Sequence, residues 1–149
     1  MQLKWPNDIL HAGCKLAGLL CERVHKADLI GVGLNVNLSP AAAPKGLRGQ
    51  ITSLWQTAQR RFDLTDVLIT LARHLHPALA RRGERFFSET LRRYDAHHAL
   101  TGRRVTVSSL DDSRTLAGTV QGLDSHGRLI LRDRAGRVHR VISGQVQMR

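Results

Sequence analysis

Two glycines and two asparagines alternate with apolar residues near the start of this 149-residue chain, and their spacing suggests a binding surface. The run at residues 28–37 predicts a β-strand, whose successive side chains point to opposite faces. One face would be apolar, and the other would be bare backbone ending in two amides. Glycine weakens a strand, so two in alternation indicate that a ligand or another backbone comes close to that face, and spacing leaves both readings open. The bare face carries Gly31, Gly33, Asn35 and Asn37, and the apolar face carries Ile30, Val32, Leu34 and Val36.

Cysteines and histidines form no metal-binding pattern. Cys14 and Cys21 are the only cysteines, and two thiols at this spacing match neither a zinc ligand set nor a disulfide framework. We interpret both as buried, small apolar residues. His74 and His76 would point in different directions from a helix. The sequence therefore predicts no structural metal.

The net charge of +11 raises the question of a nucleic-acid partner. The charge is spread along the chain, with 14 basic and 8 acidic residues in 1–100 and 9 basic and 4 acidic residues in 101–149. This dispersal favours ordinary solvated faces over a dedicated nucleic-acid groove. No apolar run reaches the roughly 20 residues of a membrane span, and the N-terminus lacks a signal-peptide pattern. We therefore expect no membrane partner and a cytoplasmic location.

The first hundred residues predict two strands followed by two helices. Residues 14–22 are almost continuously apolar and predict a strand buried on both faces. A surface loop at 39–49 precedes a helix that Asp63 or Thr65 could cap and that Pro77 should kink or end. A second helix follows Gly83 and should stop near Gly102. The first helix places one apolar stripe on Leu64, Leu68, Leu71, Leu75 and Leu79, and the second aligns Phe87, Leu91 and Tyr94.

From residue 103 onward the apolar period changes to two. Turn-forming residues at 111–113, 124–127 and 134–136 separate short apolar runs. About five strands in fewer than fifty residues predict a small barrel that resembles an SH3 fold. The strands are expected at 105–107, 116–120, 129–131, 138–142 and near 146.

Three blocks of sequence together resemble the catalytic domain of biotin protein ligases. They are Lys-Trp-Pro-Asn-Asp at 4–8, Lys-Leu-Ala-Gly-Leu-Leu-Cys-Glu at 15–22 and Gly-Val-Gly-Leu-Asn-Val-Asn at 31–37. The segments at 51–54, 118–124 and 143–144 fit the same family. The resemblance implies an α+β fold. Residues 1–100 would be the C-terminal part of a class II synthetase-like core, with a partial mixed or antiparallel sheet and packed helices, and residues 101–149 an SH3-like barrel.

The resemblance also implies a two-step reaction with ATP, biotin and Mg²⁺. The biotin carboxylate attacks the α-phosphate of ATP and displaces pyrophosphate. A lysine of the biotin carboxyl carrier domain of a carboxylase then attacks the resulting biotinyl-adenylate and releases AMP. Both steps build negative charge on oxygens, which a fixed cation stabilises.

The resemblance assigns that cation to Lys15, for which the alternative is a surface lysine at a strand edge. Asn7 and Asp8 match positions near the adenine and the polar groups of the adenylate, with Mg²⁺ assistance near Asp8; alternatively they form a turn or a helix cap. Biotin and adenylate binding falls to Gly18, Leu20, Gly31, Val32 and Gly33, and ATP binding to Asn7, Asp8, Leu34 and Asn35.

Strand parity complicates this assignment. Gly18 and Leu20 would share one face of their strand, whereas Lys15 has the opposite parity. Lys15 reaches the same ligand only across a bulge or from the strand end, so we expect an irregularity at residues 13–15.

The sequence departs from the family in three places. The family's glycine- and arginine-rich loop belongs before the block at 4–8, where only three residues stand, so we expect a ligase fragment with little activity alone. The short link between residues 22 and 31 predicts a tight hairpin. Gln145 occupies a position where an acidic residue is frequent, which puts any contribution of the barrel to nucleotide binding in doubt.

Two alternatives stay open. The chain could be a non-enzymatic, basic SH3-like module that binds RNA or protein, although residues 103–149 contain no Phe, Tyr or Trp on which bases would stack. It could also pair with a second copy of itself or with another chain that supplies the missing N-terminal half.

Overall fold

The computed structural model describes residues 1–81, 83–109 and 114–148, with only the backbone at position 40. These residues form two compact units, the first comprising Met1–Gln2 and Asn7–Gly83 and the second Leu3–Pro6 and Glu84–Arg149. The predicted domain boundary at residue 100 stays a prediction. Nine strands and three α-helices are assigned within the described residues.

The first unit contains an antiparallel sheet in which β3 lies between β2 and β4. The strands are β2 (Asp8–His11), β3 (Cys14–Val24) and β4 (Ala27–Leu34), and β1 (Gln2–Lys4) precedes them in the chain. A two-residue turn joins β3 to β4, and the guanidinium of Arg23 binds both carboxylate oxygens of Asp28 beside it, at 2.7 and 2.8 Å. The predicted tight hairpin is confirmed.

The expected irregularity in β3 is present, one residue beyond the predicted segment. Ile9 pairs with Ala17 and Leu10 pairs with Lys15, which leaves Leu16 as the extra residue of a bulge. A bulge reverses the alternation of side chains along its strand. Lys15 and Gly18 can therefore lie on the same side of the sheet despite their opposite parity.

The burial predicted for the first strand was wrong in its second half. Leu16 and Ala17 are buried, but Leu20 is 57% exposed and Cys21 is exposed, while Cys14 is only half-buried. The interpretation of both cysteines as buried is therefore also wrong. A strand face is buried only where a second layer covers it, and apolar composition does not reveal whether that layer is present.

The alternation predicted for the second strand is confirmed over its glycine segment. Gly31 and Gly33 are exposed, whereas Ile30, Val32 and Leu34 are half-buried. β4 ends at Leu34, so the segment at 35–37 leaves the strand earlier than predicted. Two 3-10 turns follow, at Pro40–Ala42 and Lys45–Leu47.

The helices begin as the sequence predicts and differ in where they end. They are α1 (Leu54–Ala58), α2 (Leu64–Ala80) and α3 (Glu84–Ala96), and the short α1 was not predicted. Asp63 caps α2 by accepting bonds from the backbone N–H groups of Thr65 and Asp66, as predicted. Pro77 lies inside α2 without ending it, and α3 stops at Ala96 rather than near Gly102. No helix in the described ranges has the length and apolar character to span a bilayer.

The second unit contains all five predicted barrel strands. They are hydrogen-bonded in the order β8-β7-β6-β5-β9, and every pairing is antiparallel. Trp5 and Leu100 join the apolar residues of the strands in one buried core, and the Trp5 indole donates a 3.1 Å hydrogen bond to the carbonyl oxygen of Gly127. The strands are β5 (Arg104–Ser108), β6 (Thr115–Leu123), β7 (Leu129–Arg132), β8 (Val138–Val141) and β9 (Gln145–Met148).

Two of the three predicted turns are confirmed. Each turn has a backbone hydrogen bond from a glycine to an aspartate three residues earlier. The Gly127 amide donates to the Asp124 carbonyl, and the Gly136 amide donates to the Asp133 carbonyl. The third predicted turn, at 111–113, lies outside the described residues.

Candidate functional site

Lys15 is fixed in place through its backbone. Its amide donates to the carbonyl oxygen of Gln50 at 2.8 Å, and its carbonyl accepts from the amide of Thr52 at 2.9 Å. The segment at 50–52 thus binds both the N–H and the C=O group of Lys15, which directly precedes the bulge residue Leu16. The side chain is free to project from a rigid base.

The ammonium group of Lys15 lies above a glycine. A Cβ atom placed on Gly18 would be 3.1 Å from Lys15 Nζ, which shows that the amine occupies the space a larger side chain would need. The Nζ atom also forms an ion pair with Asp8, at 2.5 Å from Oδ1. The bulge at Leu16 makes this position possible, because without it the lysine would project from the other face.

A cavity of about 530 Å³ is lined by Lys15 together with Gly18, Gly31 and Gly33. Its volume falls within the range of small-molecule sites. Seven of the predicted site residues line it, together with Leu19, which was not predicted. The lining comprises Asn7, Lys15, Gly18, Leu19, Leu20, Gly31, Val32 and Gly33.

Asn7 lines the cavity and ties its own turn to β3. Its side-chain amide donates to the carbonyl oxygen of Leu19, and the Leu19 amide donates back to the Asn7 carbonyl at 2.9 Å. Asn7 follows a cis peptide bond between Trp5 and Pro6. These bonds explain the presence of Leu19 in the lining.

Asp8 stands beside the cavity rather than in its lining. Its side chain is only 19% exposed, and its Oδ1 atom is held by Lys15. One carboxylate suits Mg²⁺ only when phosphate oxygens supply further ligands. Within the described ranges, no group of three or more His, Cys, Asp or Glu side chains could hold a metal ion.

Leu34 and Asn35 also lie outside the lining. The Asn35 side-chain amide donates to the carbonyl oxygens of Thr52 at 3.0 Å and Lys15 at 3.3 Å, and its backbone amide donates to Leu16 at 3.0 Å. Asn35 therefore bonds to the bulge residue Leu16, to Lys15 before it and to Thr52. The sequence did not predict this role, because the side-chain partners lie in two different segments, Lys15 20 residues before Asn35 and Thr52 17 residues after it.

Two family models match the chain. Residues 1–39 match the biotin/lipoate A/B protein ligase family, and residues 100–149 match the biotin protein ligase C terminal domain.

Curated relatives extend the similarity over almost the whole chain. The biotin–[acetyl-CoA-carboxylase] ligase of Mycobacterium tuberculosis is 33% identical over 144 residues, which are 97% of this chain and 52% of the relative. The bifunctional ligase/repressor BirA of Bacillus subtilis is 28% identical over 155 residues, covering 98% of this chain and 46% of the relative. The chain thus spans about half the length of these proteins.

Solved structures share the fold. The biotin protein ligase from Aquifex aeolicus in complex with biotin and ATP superposes with a TM-score of 0.83 at 24% identity, covering 99% of this chain and 61% of the other. The ligase from Leishmania major in complex with biotinyl-5-AMP gives a TM-score of 0.54 at 20% identity, covering 95% of this chain and 56% of the other.

Proposed function

Because the chain belongs to the biotin protein ligase family, we propose that it supplies one wall of a site that makes biotinyl-5'-AMP from biotin and ATP. In this reaction the biotin carboxylate forms a bond to the α-phosphorus and pyrophosphate leaves. The amine of an acceptor lysine then attacks the acyl carbon, and AMP leaves. The single observation that carries the proposal is the position of Lys15 Nζ over Gly18, in a cavity that Gly31 and Gly33 also line.

Lys15 is the proposed catalytic cation. Its ammonium group would lie beside the biotin carboxylate and the α-phosphate, and it would stabilise the charge that builds on their oxygens. Asp8 holds the amine over the cavity until an anionic substrate arrives and competes for it. The rigid backbone of Lys15, bonded at both its N–H and C=O, limits the entropy lost when substrate binds.

The exposed backbone at Gly31 and Gly33 is the proposed binding surface for biotin and the acyl-adenylate. Gly31 and Gly33 expose backbone to the cavity, so a ligand can lie flat against β4. Gly18, Leu20 and Val32 complete this surface, and Leu20 offers an exposed apolar side chain for the hydrocarbon part of biotin.

The nucleotide is the proposed ligand of the neighbouring polar residues. Asn7 lines the cavity and can present its side-chain carbonyl oxygen to an adenine amine. Asp8 would share a Mg²⁺ ion with the phosphates, after Lys15 has moved to the substrate. Leu34 and Asn35 would contact ATP at the end of β4; the bonds of Asn35 to Lys15 and Thr52 leave its side-chain oxygen for that purpose.

The proposed acceptor is a lysine of the biotin carboxyl carrier domain of a carboxylase, in the cytoplasm. The name of the Mycobacterium tuberculosis relative, which specifies acetyl-CoA carboxylase, supports this choice. The net charge of +11 would also speed the encounter with an acidic carrier. We further propose that the chain works with an N-terminal half or a second copy that encloses the cavity.

The proposal is tested by measuring the affinity of the 149-residue chain for biotinyl-5'-AMP by calorimetry. We expect Lys15→Ala to weaken binding about tenfold or more, the usual loss for a hydrogen bond to a charged group. Lys26→Ala, which removes the same charge from the exposed β3–β4 turn, should leave the affinity within about twofold. An equal loss of affinity in the two variants would mean that Lys15 acts only through the net charge of the chain, and would contradict the assignment.

Catalysis by the chain alone should be weak. The Lys15 side chain is 46% exposed and Leu20 is 57% exposed, so water competes for the groups that would stabilise the transition state. We expect biotin-dependent exchange of pyrophosphate into ATP to stay close to the background without the remaining half of the site. Rapid exchange that Lys15→Ala abolishes would show that this chain encloses its substrates by itself.

A further inference from the structure

A second cavity lies in the barrel, beside a part of β6 that has a neighbour on one side only. Thr115, Leu116 and Ala117 pair with β5, whereas the pairing of β6 with β7 begins at Thr119. The three residues thus form a short open strand edge within the described part of the second unit. Unpaired strand edges readily accept another strand.

The cavity beside this edge measures about 470 Å³ and is basic. Three arginines line it, and its one carboxylate, Asp133, is already bound by Arg137 Nε and His139 Nε2, each at 2.9 Å. The lining is Arg104, Thr115, Leu116, Ala117, Asp133, Arg134, Ala135, Arg137 and His139.

Two of the arginines are available to a ligand. Arg104 and Arg134 form no ion pair with any residue among those described, and both line the cavity beside the open edge. A guanidinium group binds a carboxylate with two parallel hydrogen bonds, so a pair of arginines favours a partner with two acidic side chains. Leu116, which is 37% exposed, also lines the cavity.

We propose that this cavity docks an extended, acidic segment of another polypeptide. The segment adds alongside residues 115–117 of β6 as a further strand, its backbone bonding to the open edge, while alternate acidic side chains reach Arg104 and Arg134. Strand addition of this kind obtains affinity from the main chain and selectivity from side-chain pockets. The site is separate from the proposed adenylate chemistry and needs neither biotin nor ATP.

A polypeptide fits this surface better than a nucleic acid does. Proteins that bind single strands stack bases on aromatic side chains, and residues 101–149 contain no Phe, Tyr or Trp. The His139 ring, which could stack, is bonded to Asp133. The backbone N–H and C=O groups of a strand edge also match the backbone of a peptide better than that of a nucleic acid.

The test measures binding of the peptide acetyl-Glu-Val-Glu-Val-Glu-amide to the full chain by fluorescence anisotropy. We expect the double variant Arg104→Gln/Arg134→Gln to weaken binding about fivefold or more, as the loss of two exposed charge pairs implies. The matched control, Arg92→Gln/Arg93→Gln on α3, removes the same charge from exposed positions and should change affinity by less than about twofold. The same loss in both variants would overturn the proposal, because it would reflect net charge alone.

Two further probes separate strand addition from simple attraction. A Glu-Pro-Glu-Pro-Glu peptide keeps the charge but lacks the proline N–H groups, so it should bind at least about fivefold more weakly than the valine peptide. Equal affinity of the two peptides would exclude strand pairing. A 10-nucleotide RNA that binds more tightly than the valine peptide, and loses affinity in Arg104→Gln/Arg134→Gln but not in the α3 control, would show that the cavity serves nucleic acid instead.

Discussion

Asn35 is the residue that connects the glycine strand to the lysine. Its side-chain amide spans two carbonyl oxygens, those of Lys15 and Thr52, while its own backbone amide binds Leu16 at the bulge. The residue thereby fixes the bulge from outside β3. Because the bulge decides on which face Lys15 projects, Asn35 positions the lysine without touching its ammonium group.

Replacing Asn35 by Ala should loosen this part of the backbone. The carbonyl oxygens of Lys15 and Thr52 each lose a donor, which costs about 1 kcal/mol and should raise amide exchange at Lys15 and Thr52 about fivefold. The measurement is residue-resolved hydrogen exchange by NMR. Asn37→Ala is the matched control, since Asn37 makes a similar pair of bonds to Phe62, and it should affect Phe62 alone. Unchanged exchange at Thr52 in Asn35→Ala would contradict the role.

Gly18 tests the position of the ammonium group directly. A methyl group there would lie 3.1 Å from Lys15 Nζ and 3.3 Å from Asp8 Oδ1, which is too close for the ion pair to keep its place. The flexible end of the lysine can move away, so we expect Gly18→Ala to shift the Lys15 ammonium resonance while the melting temperature changes by only about 1–2 °C. Gly46→Ala, where the added methyl group meets nothing within 4 Å, should leave that resonance unchanged. An unshifted resonance in Gly18→Ala would place the amine elsewhere.

At the scale of elements, the barrel repeats one turn. Asp124 and Asp133 each accept two backbone N–H bonds through Oδ1 and bind the guanidinium of the arginine four residues later through Oδ2. Both turns therefore depend on an ionised carboxylate. In the first turn, the carbonyl oxygen of Gly127 also accepts a hydrogen bond from the Trp5 indole, which links this turn to the buried core.

The two turns should make the barrel sensitive to acid. Partial burial disfavours the charged Asp124 carboxyl, but hydrogen bonds from the His126 and Arg128 amides and the Arg128 guanidinium outweigh it and lower its pKa to about 2. The hydrogen bond from His139 likewise holds the pKa of Asp133 well below its usual value. An unfolded aspartate titrates near 3.9, so the stabilisation is complete above about pH 5 and is lost as pH falls from 4 towards 2.

This acid sensitivity is measured as the loss of the Trp5 indole N–H signal between pH 5 and pH 2. The double variant Asp124→Asn/Asp133→Asn should be less stable at pH 7 and show a smaller further loss on acidification than the natural chain. Glu89→Gln, on the exposed surface of α3, is the control and should follow the natural chain. An identical acid response in the double variant would locate the sensitivity outside these turns.

The sequence predicted the barrel strands well and the contacts around Lys15 poorly, for one physical reason. Strand alternation and Asp-x-x-Gly turns are local signals, and the five barrel strands follow the alternation. The bulge was inferred from parity, but its exact residue, Leu16, depends on the pairing of β2 with β3. The Asp8–Lys15 ion pair depends on this same pairing, and the role of Asn35 arises from contacts 17 and 20 residues away in the chain, which a single sequence does not display.

At the scale of the whole molecule, the net charge and the exposed apolar surface have opposite effects on self-association. The leucine stripe predicted for the first helix exists, but Leu64 is 62% exposed, Leu68 is 65% exposed and Leu79 is 49% exposed. Exposed apolar surface of this kind promotes association. The charge of +11 acts in the other direction, because at about 20 mM salt like-charged molecules repel each other over about 20 Å.

Salt should therefore decide whether the chain self-associates. At roughly 20 mM salt we expect a monomer, and at roughly 500 mM salt, where screening shortens the repulsion to a few ångströms, larger species should form through the leucine stripe. Light scattering coupled to gel filtration measures the mass at each salt concentration. The triple variant Leu64→Gln/Leu68→Gln/Leu79→Gln should stay monomeric at both, whereas Val138→Gln/Ile142→Gln, which removes exposed apolar side chains from the barrel, should associate as the natural chain does. If the barrel variant alone prevents association, the contact surface lies on the barrel and the stripe has no part in it.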